Sequence, residues 1–212
     1  MDKKSIGIFG GTFDPIHFGH CRAALEIKQQ LKLEELRLIP CKNPPHRTTI
    51  ASAEDRLAML KLAVKNTPLM IDDCEMLRSG PSYTVDTLLS LRKAHPRTSL
   101  CLIIAMDAFL GLPTWYEWEK LIELANIAVI DRQGWNMPGS GILAEFFNNH
   151  ALASKENIID FTCGKIVLQS ITSLDISASN IRLLIQKGHS PQFLLPDSVL
   201  EYIQKHTLYS PP

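Results

Sequence analysis

Phe9-Gly10-Gly11-Thr12-Phe13-Asp14-Pro15-Ile16-His17-Phe18-Gly19-His20 separates two segments of different periodicity. Before it, Ile6-Gly7-Ile8-Phe9 is an apolar run of one-strand length; after it, Cys21 to Leu31 carries apolar residues at helical spacing. The stretch therefore joins a strand to a helix. Two adjacent glycines let a backbone turn sharply and approach a ligand, and the helix beyond presents unpaired N–H groups and a positive dipole end. An anion fits there. His17 and His20, three positions apart at the helix start, share a face, and two imidazoles beside a phosphate can donate hydrogen bonds to charge that grows during reaction. A pair of glycines with two surface histidines would describe an ordinary turn. The whole string is far more restrictive and reads as a phosphate site with chemistry attached.

Outward from this stretch, apolar runs alternate with helical patterns. Ser5 to Phe9, Glu35 to Ile39, Leu69 to Ile71, Leu100 to Ala105, Ile127 to Ile130 and Ile166 to Gln169 read as strands, and segments such as Ala53 to Lys65 and Val85 to His95 read as helices. The alternation predicts an α/β fold, a Rossmann-like open parallel sheet with helices on both faces. Right-handed crossovers then bring the loops after the strands to one sheet edge, where such sheets bind ligands. A single domain over 1–212 is expected, with a C-terminal helical portion from about residue 176.

At 212 residues and 45% hydrophobic composition the chain can bury a substantial core without external staples. Lysine plus arginine and aspartate plus glutamate balance at 22 each, which argues against a broad electrostatic footprint for nucleic acid or an anionic membrane. The ligand is expected to be small. Cys21, Cys41, Cys74, Cys101 and Cys163 are scattered, odd in number and free of CxxC spacing, so neither a protein-held metal nor a disulfide framework is expected and a reduced cytoplasm fits. No signal-peptide pattern and no apolar run of membrane length is present, which predicts a soluble, unexported protein.

Each of the remaining candidate segments follows a predicted strand or opens a predicted helix. In Pro40-Cys41-Lys42-Asn43-Pro44-Pro45-His46-Arg47 the prolines forbid helix and fix an extended loop, presenting Asn43, His46 and Arg47 as donors near the phosphate turn. In Ser82-Tyr83-Thr84 a hydroxyl of Ser82 or Thr84 reads as an N-cap, while the free N–H groups of the same helix start could accept a carboxylate. Asp107 at a strand's C-terminal edge suits a ribose hydroxyl, and Trp115 offers a flat face for an aromatic ring, with Trp118 assigned to the core. After Arg132 comes Gly/Pro-rich sequence with one short helix, read as a surface insertion, a flap or a contact in a homo-oligomer. Ser177 caps another helix, Gly188 ends it, and Ser179 and Arg182 near its start repeat the anion-binding logic, Arg182 with a bidentate fork. Leu195 to Ile203 reads as a terminal helix that covers the sheet, without chemistry.

The string from Gly10 to His20 resembles the active-site signature of the HxGH nucleotidyltransferase superfamily, in which a Thr-x-Asp-Pro segment precedes the two histidines. With Pro44-Pro45-His46-Arg47, Ser82-Tyr83-Thr84, Pro113-Thr114-Trp115-Tyr116 and Ile176-Ser177-Ala178-Ser179-Asn180-Ile181-Arg182, the set is similar to the bacterial nicotinate-nucleotide adenylyltransferases over nearly the whole chain. The resemblance implies transfer of AMP from ATP to nicotinate mononucleotide, with ATP as co-substrate and Mg²⁺ carried by its phosphates. It places Gly10, Gly11, Thr12, Phe13, His17 and His20 on ATP, with Ser177, Ser179 and Arg182 closing from the opposite helix and His17, His20 and Arg182 doing the chemistry. The nicotinate ring would stack near Trp115, its carboxylate would meet main-chain N–H groups around Ser82, Tyr83 and Thr84, and Asn43, His46, Arg47, Asp107 and Arg132 would shape the rest. The sequence departs from the family pattern at Ala105-Met106-Asp107, where Gly-x-Asp is usual, at Arg132-Gln133-Gly134, where Arg-Pro-Gly is common, and at Asn180. Related transfer to nicotinamide mononucleotide, phosphopantetheine or a polyol phosphate, and a nucleotide-binding module without turnover, are the alternatives.

Overall fold

The computed structural model describes residues 4–45, 48–131, 139–153 and 157–211. Six strands form one all-parallel sheet: β1 (Ser5–Gly11), β2 (Glu35–Pro40), β3 (Met70–Ile71), β4 (Ser99–Ala105), β5 (Asn126–Asp131) and β6 (Ile166–Ser170). Their spatial order, β3-β2-β1-β4-β5-β6, is that of a doubly wound sheet. Each of the six expected runs is a strand, with ends moved by one or two residues.

The central strands read as near-continuous apolar runs because both of their faces are buried. Phe9, Leu38, Cys101, Ile103, Ala128 and Ile130 face one core; Ile6, Ile8, Leu100, Leu102, Ile127 and Val129 face the other. The first core is covered by α1 (Phe18–Gln30), α2 (Ala53–Val64), α7 (Ala178–Gln186) and α8 (Asp197–Lys205) through Ala24, Ile27, Met59, Leu60, Ile181, Val199 and Ile203. The second is covered by α3 (Thr84–Ala94), α4 (Met106–Leu110), α5 (Leu121–Leu124) and α6 (Ile142–His150) through Val85, Leu88, Leu91, Phe109, Leu121 and Leu143. Helices thus lie on both faces, as the alternation predicts. No helix among the described residues is long and apolar enough to cross a membrane.

In this order β1 and β4 are neighbours whose following segments leave to opposite faces, which opens a crevice at their carboxyl ends. A fully buried arginine builds the rim of that crevice. Arg56, on α2, donates from Nη1 to Thr12 O at 2.7 Å and Cys41 O at 2.6 Å, and from Nη2 to Lys42 O at 2.9 Å. It joins the chain leaving β1 to the chain leaving β2. Burial pushes the guanidinium below its usual range, opposed first by the charge of Asp14. Replacing Arg56 by methionine leaves these carbonyls without a donor, which costs about 3 kcal/mol or more and lowers the melting temperature by roughly 10 °C in a chain of this size. A thermal melt within about 2 °C of wild type would remove this structural role for Arg56.

Candidate active site

The two glycines of the signature do not make the turn. Gly10 and Gly11 remain in the ladder of β1, opposite Ile39 and Pro40, and neither has a positive φ. The left-handed backbone falls instead on Phe13, which adopts φ of 49° and is 2% exposed, and the turn follows at Asp14 and Pro15. The glycines are required for space: a Cβ on Gly11 would stand 2.7 Å from the Phe13 ring, while Gly10 opens onto the crevice with nothing within 4 Å of where a Cβ would point. The expectation of a glycine hinge is therefore corrected; packing of Phe13 over the strand end decides the geometry.

His17 is the extended residue before α1 and is almost fully buried, and His20 lies on the first turn. Their rings stack with centroids 3.8 Å apart and planes 29° apart, and Phe13 meets His20 edge-on at 5.2 Å. Gly19 permits this, since a Cβ there would come within 3.0 Å of the His17 ring. α1 has no side-chain cap; its first N–H, that of Phe18, donates to Leu194 O at 3.0 Å.

Across the crevice, Ser177 caps α7 by accepting from Asn180 N, as expected, and Gly188 ends the helix at φ of +71°. Arg182 lies half-buried and donates from Nη1 to Asp14 O at 2.6 Å and from Nη2 to Ser179 Oγ at 3.3 Å. Its guanidinium is thereby anchored on the signature turn. Gly10, Gly11, Thr12, Phe13, His17, His20, Ser177, Ser179 and Arg182 all line one cavity of about 960 Å³.

The same cavity continues to Ser82, Tyr83, Thr84, Asp107 and Trp115. Here the capping expectation is corrected. Tyr83 is the residue preceding α3 and no side chain caps this helix. Ser82 points the other way, its N–H donating to Asn43 O at 2.9 Å and its Oγ accepting from Asn43 N at 3.2 Å, which pins the loop after β2 to the start of α3. The N-terminus of α3 thus opens uncapped beside the Tyr83 and Tyr116 rings, whose centroids are 4.6 Å apart. Trp115 is half-buried at the cavity wall, whereas Trp118 packs on Phe146 at 5.0 Å. Asn43 does not line the cavity: its side-chain amide donates to Gly80 O at 2.9 Å, so it acts as a brace rather than as a donor toward the phosphate turn. His46, Arg47 and Arg132 lie outside the described residues.

Several residues that build the site were not singled out from sequence. Arg56 could have been, because it continues the buried stripe of α2 with Met59 and Leu60 at helical spacing, where a charge is out of place. Asp14 lies within the signature but its work is internal: the carboxylate accepts from Ile50 N at 2.8 Å, Ala51 N at 3.2 Å and Tyr209 Oη at 2.7 Å. Glu75 is buried at the cavity wall and accepts from Thr87 Oγ1 at 2.6 Å; burial pushes its carboxyl above the usual range. Burial likewise pushes the Cys41 thiol up to about 11, so no thiolate is offered to the cavity at neutral pH. Nothing in local periodicity marks Glu75 or Tyr209.

The cytidylyltransferase-like family model matches residues 8–184. A probable nicotinate-nucleotide adenylyltransferase of Hahella chejuensis is 47% identical over 213 residues, spanning 99% of this chain and 97% of that one. That of Cellvibrio japonicus is 45% identical over 210 residues, spanning 98% and 99%. Among solved structures, the Plasmodium falciparum nicotinic acid mononucleotide adenylyltransferase complexed with NaAD superposes with a TM-score of 0.76 at 21% identity, covering 97% of each chain, and so shares the fold. With a matched family model over most of its length and relatives of this identity along nearly all of it, the chain belongs to the nicotinate-nucleotide adenylyltransferases of the cytidylyltransferase-like family.

Proposed function

We propose that this chain transfers the adenylyl group of ATP to nicotinate mononucleotide, releasing pyrophosphate and giving deamido-NAD in NAD biosynthesis. The reading is carried by one continuous cavity with a histidine pair, an arginine and a capped helix start at one end and an uncapped helix start beside an aromatic wall at the other. The first end suits a triphosphate; the second suits a pyridine carboxylate, because unpaired N–H groups favour an anion over a neutral amide.

The mononucleotide phosphate attacks the α-phosphorus of ATP in line. A bond forms from a phosphate oxygen to that phosphorus, and the bond to the bridging oxygen breaks, so pyrophosphate leaves with the electron pair. No protein nucleophile is required, because the attacking group is already an anion; positioning and charge stabilisation supply the rate. His17 and His20 donate to the oxygens on which charge builds, and Arg182 holds the triphosphate from the opposite helix. Trp115 stacks on the nicotinate ring, α3 receives its carboxylate, and Asp107 accepts from a ribose hydroxyl. Mg²⁺ belongs to the substrate in this reading, held by phosphates and water to neutralise the triphosphate charge. The Asp14 carboxylate, engaged by Ile50 N, Ala51 N and Tyr209 Oη, is left to its structural work. The balanced charge of 22 against 22 supports small-molecule substrates in preference to nucleic acid, and the dispersed cysteines support a reducing, cytoplasmic setting.

A coupled assay mixing the chain with ATP, Mg²⁺ and nicotinate mononucleotide is expected to release pyrophosphate, with the amide mononucleotide turning over more slowly; equal or greater turnover of the amide would overturn the acid assignment. His20→Ala is expected to lower kcat about a hundredfold, the cost of losing one preorganised donor, with an unchanged melting temperature. Turnover near wild type in that variant would remove the histidine from the chemistry. Trp115→Ala is expected to raise KM for the mononucleotide about fivefold while leaving KM for ATP alone, as the loss of an aromatic stack should. An unchanged KM would return Trp115 to a packing role.

A further inference from the structure

Residues 191–211 lie beyond the stretch that the family model matches, yet they bond to α1, to α2 and to the signature turn, of which only the last contact reaches a residue that lines the cavity. Leu194 O accepts from Phe18 N at 3.0 Å, on the first residue of α1 and next to His17. Tyr202 Oη donates to Asp55 Oδ1 at 3.0 Å in the first turn of α2. Tyr209 Oη donates to Asp14 Oδ1 at 2.7 Å, inside the signature turn itself. The Tyr209 ring is buried in the core formed by α1, α2, α7 and α8. Burial, and next the Asp14 carboxylate, push its phenol far above the usual range, so it remains a donor.

Asp14 is the residue through which this last contact reaches the site. Its side chain, 5% exposed with its residue, takes Ile50 N, Ala51 N and Tyr209 Oη, while its main-chain oxygen takes Arg182 Nη1 at 2.6 Å. A buried carboxylate is oriented by its donors, and here the peptide of the same residue seats the arginine that faces the triphosphate. A small rotation of Asp14 therefore moves the turn and Arg182 together.

We propose that Tyr209 is a positioning residue for the triphosphate half of the site: its hydroxyl sets Asp14, and through Asp14 the turn at 12–15 and the Arg182 guanidinium. The last turn of the chain is then coupled to ATP binding. The inference rests on the adenylyltransferase reading for the identity of the ligand. By linkage the coupling is reciprocal, so ATP must also stabilise the contact that favours it.

Calorimetric titration of the full chain with ATP tests it without requiring turnover. Tyr209→Phe, which removes one oxygen and keeps the ring, is expected to weaken ATP binding about tenfold and to leave nicotinate mononucleotide binding within about twofold of wild type. Tyr202→Phe, whose partner Asp55 does not line the cavity, is expected to leave both affinities unchanged. An ATP affinity of Tyr209→Phe within about twofold of wild type, or equal losses for both ligands, would overturn the proposal and leave Tyr209 as a structural contact. Hydrogen exchange on the unaltered chain gives a readout free of any folding defect: ATP should slow exchange in the peptide spanning 203–211, and an absence of protection overturns the coupling. A wild-type chain that binds ATP but releases no pyrophosphate with nicotinate mononucleotide would sink the adenylyltransferase reading instead, and the ATP affinities would still decide the role of Tyr209.

Discussion

The site depends on how the carbonyl groups at the ends of β1 and β2 are satisfied once the ladder stops. A strand that ends inside a protein leaves main-chain oxygens that need donors. Arg56 supplies them from below, to Thr12, Cys41 and Lys42, and Arg182 supplies one from the side, to Asp14. The planar guanidinium suits this task, because its fixed fork of donors reaches several oxygens at once without adopting alternative geometries. Two guanidinium groups thus hold the turn that lines the cavity.

Chirality and topology do the rest. In an all-parallel sheet with right-handed crossovers, each helix that follows a strand starts at the same sheet edge. The starts of α1, α3 and α4 are thus brought to the crevice between β1 and β4 by connectivity alone. α7 adds a further start from beyond β6, and it brings Ser177 and Arg182 opposite the histidine pair. Side chains then divide the labour along the cavity. α7 satisfies part of its own N-terminus with Ser177, α1 gives its first N–H to Leu194 O, and α3 has no side-chain cap.

Most of the fold was legible in the chain because the signals that carry it are local. Six apolar runs of strand length, separated by segments of helical period, are enough to specify parallel pairing, since a strand buried on both faces cannot alternate with polar residues. The signature string was legible for a similar reason: His17 immediately precedes α1 and Gly19 and His20 lie on its first turn, so close spacing brings the rings together. A glycine pair signals a turn, yet here Gly11 admits the Phe13 ring and Gly10 leaves the crevice open. Ser82 or Thr84 reads locally as a cap and Asn43 as an exposed loop donor, but the folded chain pairs Ser82 with the main chain of Asn43.

The amino-acid sequence by itself determined the class of sheet, the positions of the helix starts and the pairing of the two histidines, because backbone propensity and side-chain period act over a few residues. Tertiary structure decided which charges face inward. Arg56 meets Thr12 across 44 residues, Arg182 meets Asp14 across 168, and Tyr209 meets the same aspartate across 195. No short-range pattern encodes contacts of that separation; they exist because the folded sheet edge leaves oxygens beyond the ladder that these distant donors reach.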